Sequence, residues 1–500
     1  MKTAGKLILV SNRLPATVEC GPGGATLKPS SGGLVTALRP VLESRNGHWI
    51  GWPGEECPEE VERLVAQNES PACHLVPVSL TPEEQKGFYA GFSNEIIWPL
   101  FHDLQSRCNF DPAYWKFYVK VNRKFADAVA RVADRDSMIW VHDYHLMLVG
   151  GFLRELGFKN RLGFFLHIPF PPLDIFEKLP WRSEVLRALF DFDVVGFQTL
   201  RDQRNFAGCV RPLLHNVELH RAHEQMIAEV DGRNMIIGSF PIGIDFKEFS
   251  DAAGKPEVAA HAAEIRRNVV GRQIVLGVDR LDYTKGIPER LKAFQHLLAT
   301  QKELRRQITL VQIVVPSRET IPKYQELKTE IEMLISQING DYGDSGWVPI
   351  HYIHRNMERA DLLAHYRIAD IALITPLEDG MNLVAKEFCA AQAGDKGVLI
   401  LSEFAGAANQ LRNGALLVNP YDIENVAEAL QTAFRMPDKE RRKRMRKLRR
   451  KVRVEDVFRW CTDFFSYLEV PGPRRARGSV TKLNAKVTTL LPRVAAVKTG

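Results

Sequence analysis

The second half of the chain alternates between two kinds of apolar pattern. Short runs are apolar at nearly every position: "IVLGV" (274–278), "ITLVQIVV" (308–315), "PIHYI" (349–353), "IALIT" (371–375), "GVLIL" (397–401) and "ALLV" (415–418). Between them, apolar residues recur every three or four positions, as in Tyr324, Leu327, Ile331, Leu334 and Ile338, in "NLVAKEFCAAQ" (382–392) and in "IENVAEALQTAF" (423–434). Continuous apolar strands separated by amphipathic helices predict a parallel sheet buried on both faces. The first half repeats the theme less cleanly, with strands expected at "KLILVSN" (6–12), "MIWVHD" (138–143), "RLGFFLHI" (161–168) and "VVGFQT" (194–199). A helix carrying Leu146, Val149, Leu153 and Leu156 should stop at Gly157, and "FPIGID" (240–245) should close this half. The fold class is therefore α/β, with two Rossmann-like, doubly wound domains that meet near residue 246 and face a central cleft.

Composition changes this picture little. The chain has 500 residues, 45% hydrophobic and 25% charged, which suits two domains of ordinary size. No apolar run approaches the ~20 residues of a membrane span, and the short run after Met1 reads as a buried strand, not a leader. Seven dispersed cysteines (Cys20, Cys57, Cys73, Cys108, Cys209, Cys389, Cys461) lack metal-ligand spacing and suggest reduced thiols in the cytoplasm. The net charge of +7 hints at nucleic acid until it is located. Arg474, Arg475, Arg477, Lys482, Lys486, Arg493 and Lys498 lie after Pro471 with no acid among them, leaving residues 1–470 formally neutral. The bias belongs to a Gly-, Pro- and Ser-containing tail that is expected to be disordered. The dense "DKERRKRMRKLRRKVRVEDV" (438–457) reads as a solvated helix face, so nucleic acid is not the expected partner.

Candidate chemistry collects where strands end. Ser11-Asn12-Arg13, His142-Asp143-Tyr144-His145, His167, Asp279-Arg280, Ser317-Arg318 and Asp379-Gly380 each follow an expected strand. A single charged residue there is usually just solvated, but six along the same edge of two sheets mark a binding cleft. Arg280 and Lys285 place two cations in one strand-to-helix connector, and Gly32-Gly33 precede a helical segment whose amides suit a phosphate. No GxxxxGK[ST], no strand–helix GxGxxG, no HExxH and no GxSxG occurs, which removes the ATPase, simple dehydrogenase, zinc-protease and acyl-transfer readings.

These residues lie in blocks that resemble the trehalose-6-phosphate synthase family: "VSNRLP", "SSGGL", "WIGWPG", "WPLFH", "VNRKFAD", "VHDYHL", "HIPFP", "LPWR", "GFQT", "GVDRLDYTKGI", "TPLEDGMNLVAKE", "LILSEFAGAANQL" and "LLVNPYD", in order from about residue 6 to 466. The resemblance implies the GT-B arrangement, with an acceptor-binding domain at 1–245, a nucleotide-sugar-binding domain at 246–454, a helix near 455–470 packed back on the first, and a tail at 471–500 outside the match. It also implies a retaining transfer of glucose from a nucleotide-glucose, UDP-glucose by family default with ADP or GDP compatible, to glucose-6-phosphate. No cofactor and no metal is implied. A homo-oligomer is compatible with the sequence, and a membrane is not expected.

Position by position, the resemblance places Arg280 and Lys285 at the donor diphosphate, Glu387 at the ribose, and Asp379, Gly380, Met381, Asn382 and Leu383 at the donor sugar, with Gly32 and Gly33 beside them. It places Asp143 and His167 at the reacting centre, with Asp143 also touching the acceptor. Arg13, Tyr89, Trp98 and Arg318 match the acceptor-phosphate pocket, Trp49 the acceptor-sugar wall, and the backbone near His354 to Met357 the base. Glu378 stands where many relatives carry Arg and is read as surface variation. The rival readings are a glucosylglycerol-phosphate synthase using glycerol-3-phosphate, a non-catalytic sugar-phosphate sensor, and an RNA-binding protein acting through its basic C-terminus.

Overall fold

The structure, a computed structural model, describes residues 6–21, 24–29, 33–54, 63–65, 73–214, 217–222, 224–230, 232–267, 269, 271–318 and 321–469. Gly32 and the basic tail lie outside the described residues.

In chain order the first half contributes β1 (Leu7–Arg13), a hairpin of β2 (Ala16–Gly21) and β3 (Gly24–Pro29), β4 (Gly47–Trp52), β5 (Cys73–Pro77), β6 (Met138–His142), β7 (Leu162–Phe165), β8 (Val194–Phe197), β9 (Val217–Ala222), β10 (Gln225–Val230) and β11 (Arg233–Ser239). Apart from the hairpin they form one sheet in the order β5-β4-β1-β6-β7-β8-β11-β10-β9. It is parallel from β5 to β11, and β10 and β9 add an antiparallel edge. The second half contributes β12 (Gln273–Arg280), β13 (Ile308–Val315), β14 (Ile350–His354), β15 (Ile371–Ile374), β16 (Val398–Ser402) and β17 (Leu416–Val418). These make an all-parallel sheet in the order β14-β13-β12-β15-β16-β17. The protein is thus two doubly wound α/β sheets facing a cleft, the arrangement called GT-B. Residues 240–245, expected to close the first half, follow β11 without regular structure and cross between the halves.

The chain crosses back once more. Helix Val457–Leu468 lies on the first sheet, where Phe464 stacks on Trp140 with ring centroids 4.5 Å apart and Trp460 meets Phe165 edge-on at 5.0 Å. Glycines on β7 and β8 make room for it: a Cβ at Gly163 or Gly196 would run into the Phe464 ring. The two crossings touch at Gly243, whose missing side chain lets the backbone of Glu455 and Asp456 pass directly over it.

Two local features position the site. A capping box at Thr81, with Glu84 Oε2 accepting the Thr81 N–H at 3.0 Å, starts a helix that widens into a π-helix over Gln85–Ile97. Gly87 and Gly91 bring that segment against helix Pro112–Val132, where any Cβ would strike Phe117 and Tyr114. In the second half, Arg290 is fully buried and ion-paired to Asp279, and it also donates to Thr375 Oγ1 at 3.1 Å and to the Lys285 carbonyl at 3.3 Å. One guanidinium thereby ties the ends of β12 and β15 to the connector that follows β12. Removing one partner of such a pair costs about 3–5 kcal/mol.

Candidate active site

Among its parallel strands each sheet reverses its order at one point, between β1 and β6 in the first and between β12 and β15 in the second. Open α/β sheets bind ligands in the crevice at such a point. Arg13 ends β1, Asp143 follows β6, Arg280 ends β12 and Asp379 lies just beyond β15, so four of the expected residues flank the two crevices.

The first group gathers around two arginines. Arg13 lays its guanidinium over Trp52 at 3.9 Å from the ring centroid and lies 5.7 Å from the Tyr89 ring. Arg318, from the other half, sits 4.3 Å over Trp98 and donates to Asp282 Oδ2 at 3.2 Å, to the Tyr324 hydroxyl at 2.6 Å and to the Tyr144 hydroxyl at 3.3 Å. Tyr144 in turn donates to Asn94 Oδ1 at 3.0 Å, on the π-helix that also carries Tyr89. Arg318 is held at φ +52°, a left-handed conformation that a non-glycine residue adopts only when its surroundings enforce it. Burial alone would push the Tyr89 hydroxyl up, yet the charges of Arg318 and Arg13 outweigh it and leave the pKa lowered. Two planar forks fixed on aromatic faces, one from each half, suit a doubly charged oxyanion such as a phosphate.

Asp143 and His167 form the second group. Asp143 adopts φ +74° and ψ 166°, a region close to glycine-only, and its N–H donates to the Phe165 carbonyl at 2.8 Å. Its Oδ1 accepts the His167 N–H at 3.2 Å. Burial raises the Asp143 carboxyl to about 6, against the pull of backbone hydrogen bonds from Tyr144 and His167 and of Arg280 and Arg318. His167 is pushed down to about 3 by burial and is neutral.

The third group lies in the second half. Lys285 donates to Asp379 Oδ2 at 2.7 Å, and both side chains are largely buried. Burial works to raise Asp379, but Lys285 outweighs it and holds the carboxyl below its ordinary range. Gly286, at φ +61°, lets this connector press on the Thr375 carbonyl. The loop after β15 is pinned to residues 404–407: the Phe404 carbonyl accepts the Asp379 N–H at 3.3 Å, and the Asp379 and Met381 carbonyls accept the Gly406 and Ala407 N–H groups at 2.9 and 2.7 Å. Asn382 caps helix Leu383–Ala391 through Ala385 at 3.1 Å, and Glu387 on that helix accepts the Tyr366 hydroxyl at 2.8 Å. Burial raises the Glu387 carboxyl. Arg280 is exposed at the end of β12 and makes no ion pair among the described residues. No group of three or more His, Cys, Asp or Glu side chains suited to a metal ion occurs among the described residues.

The halves are in contact across this site. A Cβ on Gly380 would collide with the His167 carbonyl oxygen, so the loop of the third group rests on the second. Glu378 departs from the sequence reading: its side chain is 13% exposed and ion-paired to Arg201 on helix Leu200–Leu213 of the first half. It bridges the halves and is not surface variation. Trp49 is also placed differently from the expected sugar wall. It is 1% exposed, with its indole N–H donated to Ser11 Oγ at 2.8 Å, and the ring beside Arg13 is Trp52. Gly33 begins helix Gly33–Glu43, while its companion Gly32 is not described. Sequence reasoning missed Trp52, Asn94, Asp282 and Tyr324, and placed Tyr144 only within the strand end that carries Asp143. "WIGWPG" contains Trp52, which has no charge that singles it out.

Residues 5–470 match the model of glycosyltransferase family 20. The chain belongs to this family. A trehalose-6-phosphate synthase of Mycolicibacterium paratuberculosis is 43% identical over 487 residues, covering 95% of this chain and 98% of that protein. A bifunctional trehalose-6-phosphate synthase/phosphatase of Thermoproteus tenax is 42% identical, over 92% of this chain and 63% of its own length. Among solved structures, an α,α-trehalose-phosphate synthase (UDP-forming) of Burkholderia xenovorans in complex with glucose-6-phosphate matches with a TM-score of 0.84 and 35% identity, covering 93% of this chain and 100% of that one. An E. coli structure bound with UDP-2-fluoro glucose matches with a TM-score of 0.85 and 35% identity, over 94% and 100%. As a family 20 member the chain is a glycosyltransferase. No helix among the described residues is long and apolar enough to cross a membrane.

Proposed function

We propose that this chain transfers glucose, with retention, from UDP-glucose to glucose-6-phosphate, forming α,α-trehalose-6-phosphate and UDP. The observation that carries the reading is the convergence of Arg13 and Arg318, one from each half, on the aromatic cluster of Trp52, Tyr89 and Trp98. That cluster takes the acceptor's phosphate. Arg280 and Lys285 take the donor's diphosphate, Asp379 and the backbone of Gly380 to Leu383 the donor glucose, and Glu387 the ribose through the carboxylate oxygen that Tyr366 leaves open. The nucleoside base lies along the backbone beyond β14, near His354 to Met357.

Breaking the bond between glucose and phosphate leaves negative charge on the diphosphate. Arg280 and Lys285 stabilise it by fixed electrostatics aimed at charge that grows in the transition state. Asp379 holds the Lys285 ammonium in place beforehand, so no reorganisation is needed at that moment. The leaving phosphate oxygen, on the face the glucose retains, accepts the proton of the attacking hydroxyl. Asp143 hydrogen-bonds, and His167 contacts, the sugars beside the reacting carbon. The test is a nucleotide-release assay crossing UDP-, ADP- and GDP-glucose with glucose-6-phosphate and glycerol-3-phosphate. UDP-glucose with glucose-6-phosphate should turn over fastest. Faster turnover with glycerol-3-phosphate would replace the reading with glucosylglycerol-phosphate synthesis, and no release with any pair would replace it with a binding role.

A further inference from the structure

The neighbours of His167 determine which of its nitrogens carries the proton. Gln198, one residue past β8 and 2% exposed, stands between His167 and the crossing segment 240–245. Its Oε1 accepts the backbone N–H of Ile242 at 3.0 Å. A backbone N–H can only donate, so this contact fixes which end of the amide is oxygen. The NH₂ end therefore faces His167 Nδ1, at 3.3 Å. It has only hydrogens to offer, so Nδ1 presents its lone pair. A neutral imidazole that accepts at Nδ1 carries its proton on Nε2. That nitrogen lies 3.2 Å from His142 Nδ1, which accepts in turn and leaves the His142 proton on Nε2 as well.

The carbonyl of Ile242 is also held. Lys386, on the helix that begins after Asn382 and carries Glu387, donates to the Ile242 carbonyl and, at 2.6 Å, to Gln410 Oε1. Gln410 donates to Glu455 Oε2 at 2.7 Å, next to the second crossing between the halves. One residue on the first crossing is thus gripped through its N–H by a side chain that reads His167 and through its carbonyl by a lysine of the helix expected to bind the donor.

We propose that Gln198 is a positioning residue: it fixes His167 as the Nε2–H tautomer, and the backbone of Ile242, held at its carbonyl by Lys386, keeps the amide facing that way. The consequence for transfer rests on the role given to His167 above. With its one N–H directed at His142 Nδ1, the neutral His167 ring lies against the sugar without adding positive charge beside a carbon that itself becomes electron-poor as the bond breaks.

The test is nitrogen NMR of the full chain with labelled histidine, the His167 signals being those absent from His167→Asn. In the wild type Nε2 should give the shift of a protonated nitrogen and Nδ1 that of an unprotonated one. Gln198→Glu still accepts from Ile242 but sets a carboxylate oxygen opposite Nδ1, so the proton should appear there. A wild-type proton on Nδ1, or His167 shifts unaltered by Gln198→Glu, would overturn the proposal. Should Gln198→Glu not fold, the wild-type spectrum decides alone. In the same variant kcat should fall by about tenfold or more, with the KM for both substrates within about threefold. Unchanged kcat alongside a relocated proton would uphold the tautomer assignment and remove His167 from the proposed sugar contacts.

Discussion

Replacing Asp143 by asparagine should make the free protein more stable while slowing transfer. Burial raises the Asp143 carboxyl from the ordinary 3.8 to about 6. Between those values the folded state keeps the proton that the unfolded state has lost, so stability falls as pH rises through this window and stays lowered above it. A shift of about two units corresponds to about 3 kcal/mol at neutral pH as a ceiling, and partial exposure of the carboxylate reduces this to about 1–3 kcal/mol. Asparagine keeps the shape and the oxygen that accepts the His167 N–H, tolerates positive φ better than most residues, and carries no charge to desolvate. Asp143→Asn should therefore melt above the wild type at about pH 8, with the gain vanishing near about pH 4, where both proteins are uncharged at this site. Its kcat should drop by about ten- to a hundredfold, the worth of one charge-assisted hydrogen bond. Melting curves of both proteins at the two pH values, with steady-state rates, make the comparison. A variant less stable than the wild type at the higher pH, or a difference that does not depend on pH, would refute the reasoning.

Other consequences follow from the same geometry. Arg280→Ala and Lys285→Ala should each lower kcat by about 10²-fold. Only Lys285→Ala should also lower the melting temperature, because it strands the buried Asp379 carboxylate. Equal melting of the two variants would contradict the pairing. Since the charge on the leaving group is met by side chains, release of nucleotide should continue in excess EDTA; complete loss restored by magnesium would show that a cation does that work. Removal of residues 474–500, which lie beyond the family match, should leave turnover within about twofold of the full chain, and a folded but inactive truncation would place the tail in the mechanism.

The second sheet was legible because parallel strands covered on both faces read as unbroken apolar runs, and all six appear within a residue or two of their expected limits. The antiparallel strands β9 and β10 escaped because "VELHRA" and "QMIAEV" are half-exposed, with no such run. "FPIGID" was read as the close of the first half, and its buried apolar residues pack as the crossing between halves. The charged site residues could be placed from sequence, since a strand's end fixes where the next residue emerges. The aromatic ones could not. Trp49 and Trp52 are three apart on β4, and an odd spacing sends side chains to opposite faces, so choosing between them required knowing which face Arg13 shares. Gln198 was hidden for another reason: its significance depends on a backbone N–H more than 40 residues away.

The central claim is that two arginines from opposite halves recognise the acceptor by its phosphate. The most direct measurement is the ratio of kcat/KM for glucose-6-phosphate to that for glucose, in the wild type and in Arg13→Ala and Arg318→Ala. Each lost charge-assisted contact is worth about 1.5–3 kcal/mol, so each substitution should shrink the ratio by about ten- to a hundredfold while changing the KM for the donor little. A ratio unchanged in both variants would mean that the acceptor phosphate is held elsewhere.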